Sequence, residues 1–495
     1  MAGKPDSTDG PTPAKGEAAR AMPEVGGVRS SVDPMLDLWF GENMEERRDA
    51  TCSVGQKRRE GCGDGRQKLT TPEKVRKLQI TLYRKAQSKP AYRFWSLYGE
   101  VQRADVLETA WRRVKANGGA AGVDGVTLES IAADPEVEAR WLSTLREEVQ
   151  RKTYRPAPVR RAFVPKADGG LRKLGIPTVK DRVVQMAVYL VLMPIFEADF
   201  HPRSFGYRPG RGARQAVEEV REALRIGQTE VVDADLAQYF DTIPHRKLMR
   251  LVARRVSDGM ILKLIKGWLR APILEEEEGG GRTMKTNPCG TPQGGVISPL
   301  LANIYLHPLD EQVNNDRQKP RLIRYADDLV ILCRPGQGEG MKERLARWLK
   351  SRGLALNEQK TRVVPSRTGG FAFLGFSFRW QQSQKGQPYF RTEPSPAAEQ
   401  ALRDAVRELT PSWKTWRDPQ EVVREINQVT RGWGNYFALA HYHRSFGQLN
   451  SFIAHRLRQW LWRKHGNPLG KYQHWTAEVL QATYGLQLLP TCWSK

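Results

Sequence analysis

Two pairs of acidic residues are the parts of the sequence best suited to chemistry. Asp327 and Asp328 are adjacent, and β-prone apolar residues flank them on both sides. Adjacent residues of a strand point to opposite faces, so a tight turn between two strands is where both acids can serve one site. Asp233 and Asp235 follow a second, Val-rich strand pattern. If the two strands are neighbours, three carboxylates converge at their ends.

Three converging carboxylates predict a site of hard oxygen ligands, which Mg²⁺ prefers together with water and phosphate oxygens. Two such ions, about 4 Å apart, stabilise the attacking and leaving oxygens of an in-line phosphoryl displacement. The alternative is that Asp-Asp is an ordinary solvated turn, as it is in many proteins. The coincidence of two acidic strand ends favours the metal site.

The elements that must position these acids predict a mixed fold. Strands interrupted by helices, with hairpins among them, indicate an α+β sheet with helices on one side. After about residue 395 strand patterns stop, and Leu449, Ile453, Leu457 and Leu461 recur at helical spacing. The strand patterns lie at 159–165, 230–235, 322–332, 362–365 and 371–380, and helical patterns at 88–116, 137–151, 179–198, 245–257, 259–270 and 339–352.

The charge of the chain indicates its class of partner. Among 495 residues, 79 Lys and Arg stand against 55 Asp and Glu, a net charge of +24. Such an excess repels itself unless a polyanion offsets it, and nucleic acid is the commonest such partner. The alternative, a surface that merely keeps the protein in solution, usually mixes both signs more evenly.

Other features of the composition exclude several classes of protein. The 43 aromatic residues are too many for a wholly disordered chain. Five Cys without a close pair argue against a disulfide framework or a zinc module and favour a reducing compartment. The apolar run at 183–196 is shorter than the ~20 residues that a membrane span needs. We therefore expect a soluble, intracellular protein with no membrane partner.

A series of motifs extends the signal of the acidic turn. Tyr325-Ala-Asp-Asp328 resembles the signature turn of reverse transcriptases, and the surrounding motifs resemble those of one branch, the reverse transcriptases encoded by bacterial group II introns. A single four-residue match is weak, whereas the whole series in the family's order is specific. The further motifs lie at 166–177, 204–211, 235–240, 290–303, 356–361 and 373–376, and the resemblance covers roughly residues 70–470.

The resemblance implies roles for individual residues. Asp235, Asp327 and Asp328 would be the catalytic carboxylates and would bind two Mg²⁺ ions, or Mn²⁺ in their place. Asp235 is chosen over its neighbour Asp233 by its spacing to Phe240. The Phe240 ring would exclude a 2′-hydroxyl and so select deoxynucleotides. Core packing is the alternative for this ring.

The remaining implied roles concern binding. Lys166 and Arg172 would hold the triphosphate, and Gln293 would contact the nucleotide or template. The alternative for the two cations is an ordinary loop charge, and Lys173 stands where the family's pattern has Pro. The expected RNA- or template-binding residues are Arg208, Arg211, Arg456 and Arg463.

The resemblance also implies the architecture and the activity. The fold would be a right-hand polymerase, with fingers and palm containing antiparallel sheet, followed by an all-α thumb or maturase domain. The function would be RNA-directed DNA synthesis from a primer and deoxynucleoside triphosphates, in the bacterial cytoplasm, with intron RNA and target DNA as partners and with assistance to intron splicing and retrohoming. The expected divisions are a disordered tail at 1–68, N-terminal helices and fingers at 69–230, palm at 231–385 and thumb or maturase at 386–495.

Three alternatives to this function stay open. The first is a domesticated relative that works in DNA repair or phage defence, and the second is an RNA-binding splicing factor with an inactive polymerase. The third, an RNA-templated RNA polymerase, is disfavoured by Phe240. The chain ends at Lys495 without paired Cys or a His-Asn-His pattern, so we expect it not to cut DNA for its own primer.

Overall fold

The structure, a computed structural model, describes residues 71–165, 171–276, 281–315, 319–383, 385–440, 443–466 and 475–490. The predicted tail at 1–68 and the predicted triphosphate contact Lys166 lie outside these residues. Within the described ranges, every helix is too short or too polar to cross a membrane.

Helices dominate both ends of the described chain, and the strands lie between them. The helices are α1 Glu73–Ser88, α2 Tyr98–Val101, α3 Ala104–Asn117, α4 Leu128–Ala132, α5 Pro135–Gln150, α6 Val179–Glu197, α7 Ala213–Arg225, α8 Tyr239–Thr242, α9 His245–Val252, α10 Gly259–Arg270, α11 Ser298–Asn314, α12 Gly338–Arg352, α13 Pro396–Leu409, α14 Pro419–Tyr436, α15 His443–His465 and α16 Ala477–Tyr484. The strands are β1 Val159–Pro165, β2 Leu171–Ile176, β3 Glu230–Ala234, β4 Ile273–Glu276, β5 Arg282–Lys285, β6 Arg321–Tyr325, β7 Asp328–Cys333, β8 Arg362–Pro365, β9 Phe371–Phe373, β10 Phe376–Gln382 and β11 Pro388–Pro394.

The helix α6 forms the centre of the N-terminal part. Its residues are apolar on nearly every face, and almost all of them are buried, as expected for a helix surrounded by others. Thr178 caps its first turn by accepting a hydrogen bond from the Asp181 backbone N–H. The predicted helix at 88–116 is wrong in its first part, because Phe94 pairs with Val256 in an isolated β-bridge and α3 begins only at Ala104.

The first sheet has the strand order β2-β1-β4-β5. β1 and β2 form an antiparallel hairpin, whereas β1 and β4 run parallel. Lys173, which replaces the Pro of the family's pattern, lies within this hairpin opposite Phe163. Its neighbour Arg172 is exposed on the same strand, so the position keeps a regular ladder and a basic surface.

The second sheet carries the acidic residues and has the order β6-β7-β3-β8, antiparallel throughout. Both of its faces are buried, which corrects the expectation of helices on one side only. Val232 and Ile331 face the N-terminal core, whereas Val231 and Val330 face a second core that includes the C-terminal helices. The physical reason is that successive residues of these strands are apolar, as in strands covered on both faces.

The second core joins the sheet to the C-terminal helices. A small antiparallel sheet in the order β11-β10-β9 contributes Phe376 and Phe378 to it. The predicted helical stripe on α15 is confirmed, since all four of its residues are fully buried. The last strand ends at Pro394 and helices follow, as the sequence predicts.

Candidate active site

A two-residue turn presents the adjacent acids. Tyr325 pairs with Asp328 at the end of the β6–β7 hairpin, and Ala326 and Asp327 form the turn between them. Ala326 has a φ of 60°, in the left-handed region that short hairpin turns require and that residues other than Gly rarely adopt. The hairpin predicted at 322–332 is therefore confirmed, and its turn holds a strained backbone at the acidic residues.

The strand β3 brings Asp235 to the same end of the sheet. In the ladder between β3 and β7, Ala234 pairs with Leu329. Asp235 is the next residue after Ala234, as Asp328 is the residue before Leu329. The predicted neighbourhood of the two strands is thus confirmed, and the three acids lie at adjacent strand ends.

The electrostatics of the acids reflect this proximity. Loss of hydration raises the pKa of Asp327 above its usual range, and the charge of Asp235 raises it further. Part of Asp328 reaches solvent, yet the surrounding protein removes enough water to raise its pKa, and the carboxylates of Asp327, Asp235 and Asp233 add to this, to about 7. The carboxylates therefore repel one another.

Asp233 and Asp235 differ in their contacts. Asp233 accepts a hydrogen bond from Nε of Arg362 at 3.2 Å, on the adjacent strand β8. Asp235 accepts one from Nδ2 of Asn357 at 3.0 Å, and its carbonyl accepts a second from the Asn357 backbone N–H at 2.8 Å. Asp233 is thus in an ion pair, whereas a neutral amide orients Asp235 and leaves its charge uncompensated by that contact.

The donor set suits a divalent cation in its chemistry. Carboxylate oxygens are hard ligands, and a cation between them would relieve the repulsion that raises the pKa values of Asp327 and Asp328. In the ranges that the structure describes, no group of three acidic, imidazole or thiol side chains has the arrangement of a metal site. Asp235, Asp327 and Asp328 lie at adjacent strand ends and repel one another.

A buried arginine holds the backbone of the acidic turn by hydrogen bonds. Arg324 is fully buried, and its guanidinium donates to both carboxylate oxygens of Asp310, at 2.8 and 2.6 Å. It also donates to Oδ1 of Asn303 at 2.8 Å, to Oγ of Ser204 at 2.7 Å and to the carbonyl of Ala326 at 2.8 Å. One side chain thus ties α11 and a loop to the backbone of the acidic turn.

The loop after α6 packs directly against the same turn. The Phe205 backbone N–H donates to the Arg324 carbonyl at 2.8 Å, and the Arg324 N–H donates to the Arg203 carbonyl at 3.0 Å. A Cβ at Gly206 would stand only 2.2 Å from the backbone N of Ala326. Only glycine permits this approach, so the motif at 204–211 serves as a support for the acidic turn.

Arg208 does not have its predicted role. It is 1 % exposed, and its Nε and Nη2 each donate to the Glu197 carboxylate at 2.9 Å. Its Nη1 donates to the carbonyls of His201 at 2.7 Å and Ser204 at 2.5 Å. The guanidinium is occupied in holding the loop closed, so the prediction that Arg208 binds template is wrong. A position in a Gly- and Pro-rich loop predicts an exposed side chain, but the ion pair with the buried Glu197 holds Arg208 inside the protein.

The ring predicted to select the sugar is half-buried. Phe240 makes edge contacts with Tyr239 and Tyr207, with ring centroids 5.4 and 6.4 Å apart. Its carbonyl accepts a hydrogen bond from the Thr291 N–H at 2.7 Å, and a Cβ at Gly290 would lie 2.8 Å from that carbonyl oxygen. The motif at 290–303 thus clamps the backbone that carries the ring.

Two of the predicted nucleotide contacts lie on the strand β2 or next to it. Arg172 on β2 is exposed, and its charge opposes the rise in the pKa of Asp327 that burial and Asp235 cause. The Gln293 carbonyl accepts a hydrogen bond from the Gly175 N–H at 2.6 Å, which ties the glycine-rich loop to β2. Arg172 is thus within electrostatic range of the acids.

The other predicted RNA contacts differ in exposure. Arg211 donates from Nη1 to the Pro202 carbonyl at 2.7 Å and retains 22 % exposure of its side chain. Arg463 is exposed on α15, whereas Arg456 is half-buried and donates to the Thr410 carbonyl at 2.9 Å. A nucleic-acid contact by these three stays a prediction.

Sequence reasoning missed Arg324, Asp310 and Asn303, which hold the turn. A signal was present, because Arg324 interrupts an apolar strand and Asp310 interrupts an apolar helix. Charged residues at such positions are rarely buried unless they are paired. The sequence does not show which acid pairs with which base.

Comparisons with known proteins agree with this geometry. Residues 164–378 match the reverse transcriptase (RNA-dependent DNA polymerase) family, and residues 399–478 match the maturase-specific domain of group II introns. Protein YkfC of Escherichia coli is 34% identical over 353 residues, which cover 63% of this chain and 90% of YkfC. The group II intron-encoded protein LtrA of Lactococcus lactis is 27% identical over 449 residues, 72% of each chain.

A relative from a yeast is longer. An uncharacterized 91 kDa protein in the cob intron of Schizosaccharomyces pombe is 26% identical over 426 residues, and the chain spans 51% of its length. The matched families together cover the acidic turn, its supports and the C-terminal helices. The chain therefore belongs to the reverse transcriptases that carry a group II intron maturase domain, a family of RNA-directed DNA polymerases with the right-hand fold.

Proposed function

We propose that this protein extends a primer along an RNA template with deoxynucleoside triphosphates, using Asp235, Asp327 and Asp328 as its catalytic carboxylates. The observation that carries the proposal is the strand register of β3 and β7, which puts the three acids at one end of the sheet. In this assignment residues 69–230 form N-terminal helices and fingers, 231–385 the palm, and 386–495 the thumb or maturase domain.

The three carboxylates are proposed to hold two Mg²⁺ ions, or Mn²⁺ in their place. When bound, such ions supply the positive charge that activates a primer 3′-hydroxyl and stabilises phosphoryl oxygens. Asp328, with a pKa of about 7, must release its proton before it can serve as a ligand. Arg172 donates to the triphosphate, and Phe240 closes the space below the sugar C2′. Asn357 keeps the Asp235 carboxylate in one orientation.

Primer extension on an RNA template tests the catalytic assignment. Wild type should make complementary DNA, and Asp327→Ala should lose about a thousandfold or more of the rate, because charge stabilisation supplies most of catalysis in phosphoryl transfer. The matched control is Asp233→Asn, since this neighbouring acid is paired with Arg362. Equal losses in both variants would contradict the proposal, and an inactive wild type would favour the splicing factor without polymerase activity.

We also propose that the protein binds the RNA of its own intron and stabilises the splicing-competent fold, in the cytoplasm of a bacterium. The match to the maturase-specific domain supports this proposal. So does the positive charge of residues 401–495, which contain 13 Lys and Arg but 6 Asp and Glu. Asp327→Ala should still accelerate splicing of the intron RNA. Absence of intron RNA domains around the reading frame would favour a domesticated reverse transcriptase.

A further inference from the structure

Two tryptophans stand in solvent on the loop between α13 and α14. Trp413 is 70% exposed and Trp416 is 76% exposed, although both lie in a folded segment. A tryptophan ring offers a large apolar area that is usually buried, and two exposed rings three residues apart on one loop mark a surface that meets a partner. The loop therefore presents aromatic surface that the core does not use.

The loop is held in place by the helix α15 and the start of α14. Arg456 donates from Nη2 to the Thr410 carbonyl at 2.9 Å, and Lys464 donates from Nζ to the Thr415 carbonyl at 2.9 Å. Arg417 makes a two-pronged contact with the Glu425 carboxylate, at 3.0 and 2.9 Å. Both ends and the middle of the loop are thus anchored, so the backbone that carries the two rings is held in place before any ligand arrives.

Positive charge lies at the Trp413 ring and near Arg456, which anchors the start of the loop. The Nζ of Lys414 lies 4.6 Å from the centroid of the Trp413 ring. Arg463 and Arg407 are close enough to Arg456 that their charges lower its pKa, in addition to the larger effect of its burial. Arg407 is paired with the Asp404 carboxylate at 2.5 Å, whereas Arg463 is exposed, so an anionic ligand is favoured at Arg463 and Lys414.

We propose that Trp413 and Trp416, with the cations of this surface, form a stacking platform for an unpaired stretch of nucleic acid. The proposal rests on the proposed function, because a polymerase and RNA-binding protein brings single strands to this domain. Bases stack on the indole rings while phosphates meet Lys414 and Arg463, a combination that tolerates any base sequence. An apolar protein partner is disfavoured, because it would remove water from these cations without replacing it.

Binding of labelled oligouridine, oligothymidine and a duplex hairpin to the full chain tests the platform. The double variant W413A/W416A should weaken binding of single strands by about tenfold or more and leave the duplex unchanged. W413L/W416L should be as weak, because leucine restores apolar area without a stacking face. The matched control is Trp95→Ala, since that ring is 69% exposed in another part of the chain. It should bind as wild type does.

Salt dependence separates stacking from charge. Arg463→Gln should reduce the slope of log affinity against log salt by about 0.7, whereas the double tryptophan variants should keep the wild-type slope. If the double tryptophan variants lose affinity equally for uridine and thymidine strands, the platform binds any single strand. If they lose affinity for uridine strands alone, the platform is one for RNA. Both results support the proposal.

Three results would overturn the platform. The first is that W413A/W416A binds single strands with an affinity within twofold of wild type. The second is that this variant loses as much affinity for the duplex hairpin as for single strands. The third is a change of oligomeric mass in that variant with affinity intact, which identifies a protein interface. Thermal unfolding of each variant checks the fold. Primer extension by wild type is measured in parallel, so that an inactive polymerase counts against the proposed function and not against the platform.

Discussion

Replacing Arg324 with Met, alone and together with Asp310→Leu, should separate the stability of the protein from the position of its acidic turn. Arg324 and Asp310 are 0% and 1% exposed, so removal of the guanidinium leaves a buried carboxylate without its cation. Breaking such a pair costs about 3–5 kcal/mol. This is a large fraction of a domain stability of about 5–15 kcal/mol, so we expect a marked fall in the unfolding midpoint.

A second variant, Arg324→Met with Asp310→Leu, removes both charges. Exchange of a buried ion pair for apolar groups is often close to neutral, so most of the lost stability should return. In the wild type the Ala326 carbonyl accepts a hydrogen bond from Arg324 at 2.8 Å, and the double variant still lacks this donor. Its loss costs about 1–3 kcal/mol and leaves the turn free to move. A displacement of about 1 Å at a catalytic group can cost about a hundredfold in rate. We therefore expect low activity in the double variant despite its recovered stability.

The assay combines chemical denaturation with steady-state primer extension for each variant. In both variants kcat should fall by about tenfold to a hundredfold, while KM for the nucleotide changes less, because the binding residues are untouched. Arg255→Met is the control, since this arginine is 4% exposed and pairs with Asp199 at 3.1 Å, and should lose stability with kcat retained. Recovery of both stability and kcat in the double variant would refute a positioning role for Arg324.

Further perturbations test other contacts of the site. In the wild type, ionisation of the Asp328 carboxyl destabilises the folded state increasingly as the pH rises from its unfolded pKa of 3.8 to its folded pKa of about 7. Asp328→Asn removes this effect, so in EDTA and above pH 7 it should raise the free energy of unfolding by about 1–2 kcal/mol, a value that allows for screening by solvent. The gain should vanish near pH 4, and a gain independent of pH in denaturation curves would contradict this. Phe240→Ala should raise the use of ribonucleotides relative to deoxynucleotides by about tenfold or more in competition assays, and an unchanged ratio would reject the ring as sugar gate. Gly206→Ala should lower kcat by about tenfold or more, because its Cβ would meet the Ala326 backbone at 2.2 Å, and a wild-type rate would show that the turn can move without loss. Arg208→Met should lower the unfolding midpoint and leave the salt slope of RNA binding unchanged, whereas a smaller slope would restore its predicted phosphate contact.

Much of the sheet that carries the acids could be predicted, because its signals are local. Apolar β-prone runs around Asp327 and Asp328 predict a hairpin, and a two-residue turn between paired strands presents both acids whatever surrounds it. Asp235 follows its own Val-rich strand in the same way. The pairing of β3 with β7 was an inference from two acidic strand ends, and the register confirms it.

Local sequence patterns predict the candidate residues for chemistry, because strand patterns, acidic turns and helical stripes depend on near neighbours along the chain. Which charges are available to a ligand follows from the tertiary structure alone. Arg208 and Arg211 share one loop, yet Arg208 is buried on Glu197 while Arg211 keeps part of its surface. Arg324 lies on the strand β6, three residues before Asp327, yet its guanidinium is bound to Asp310 on the helix α11. Burial and ion pairing are set by residues distant in sequence, and so no local pattern contains them.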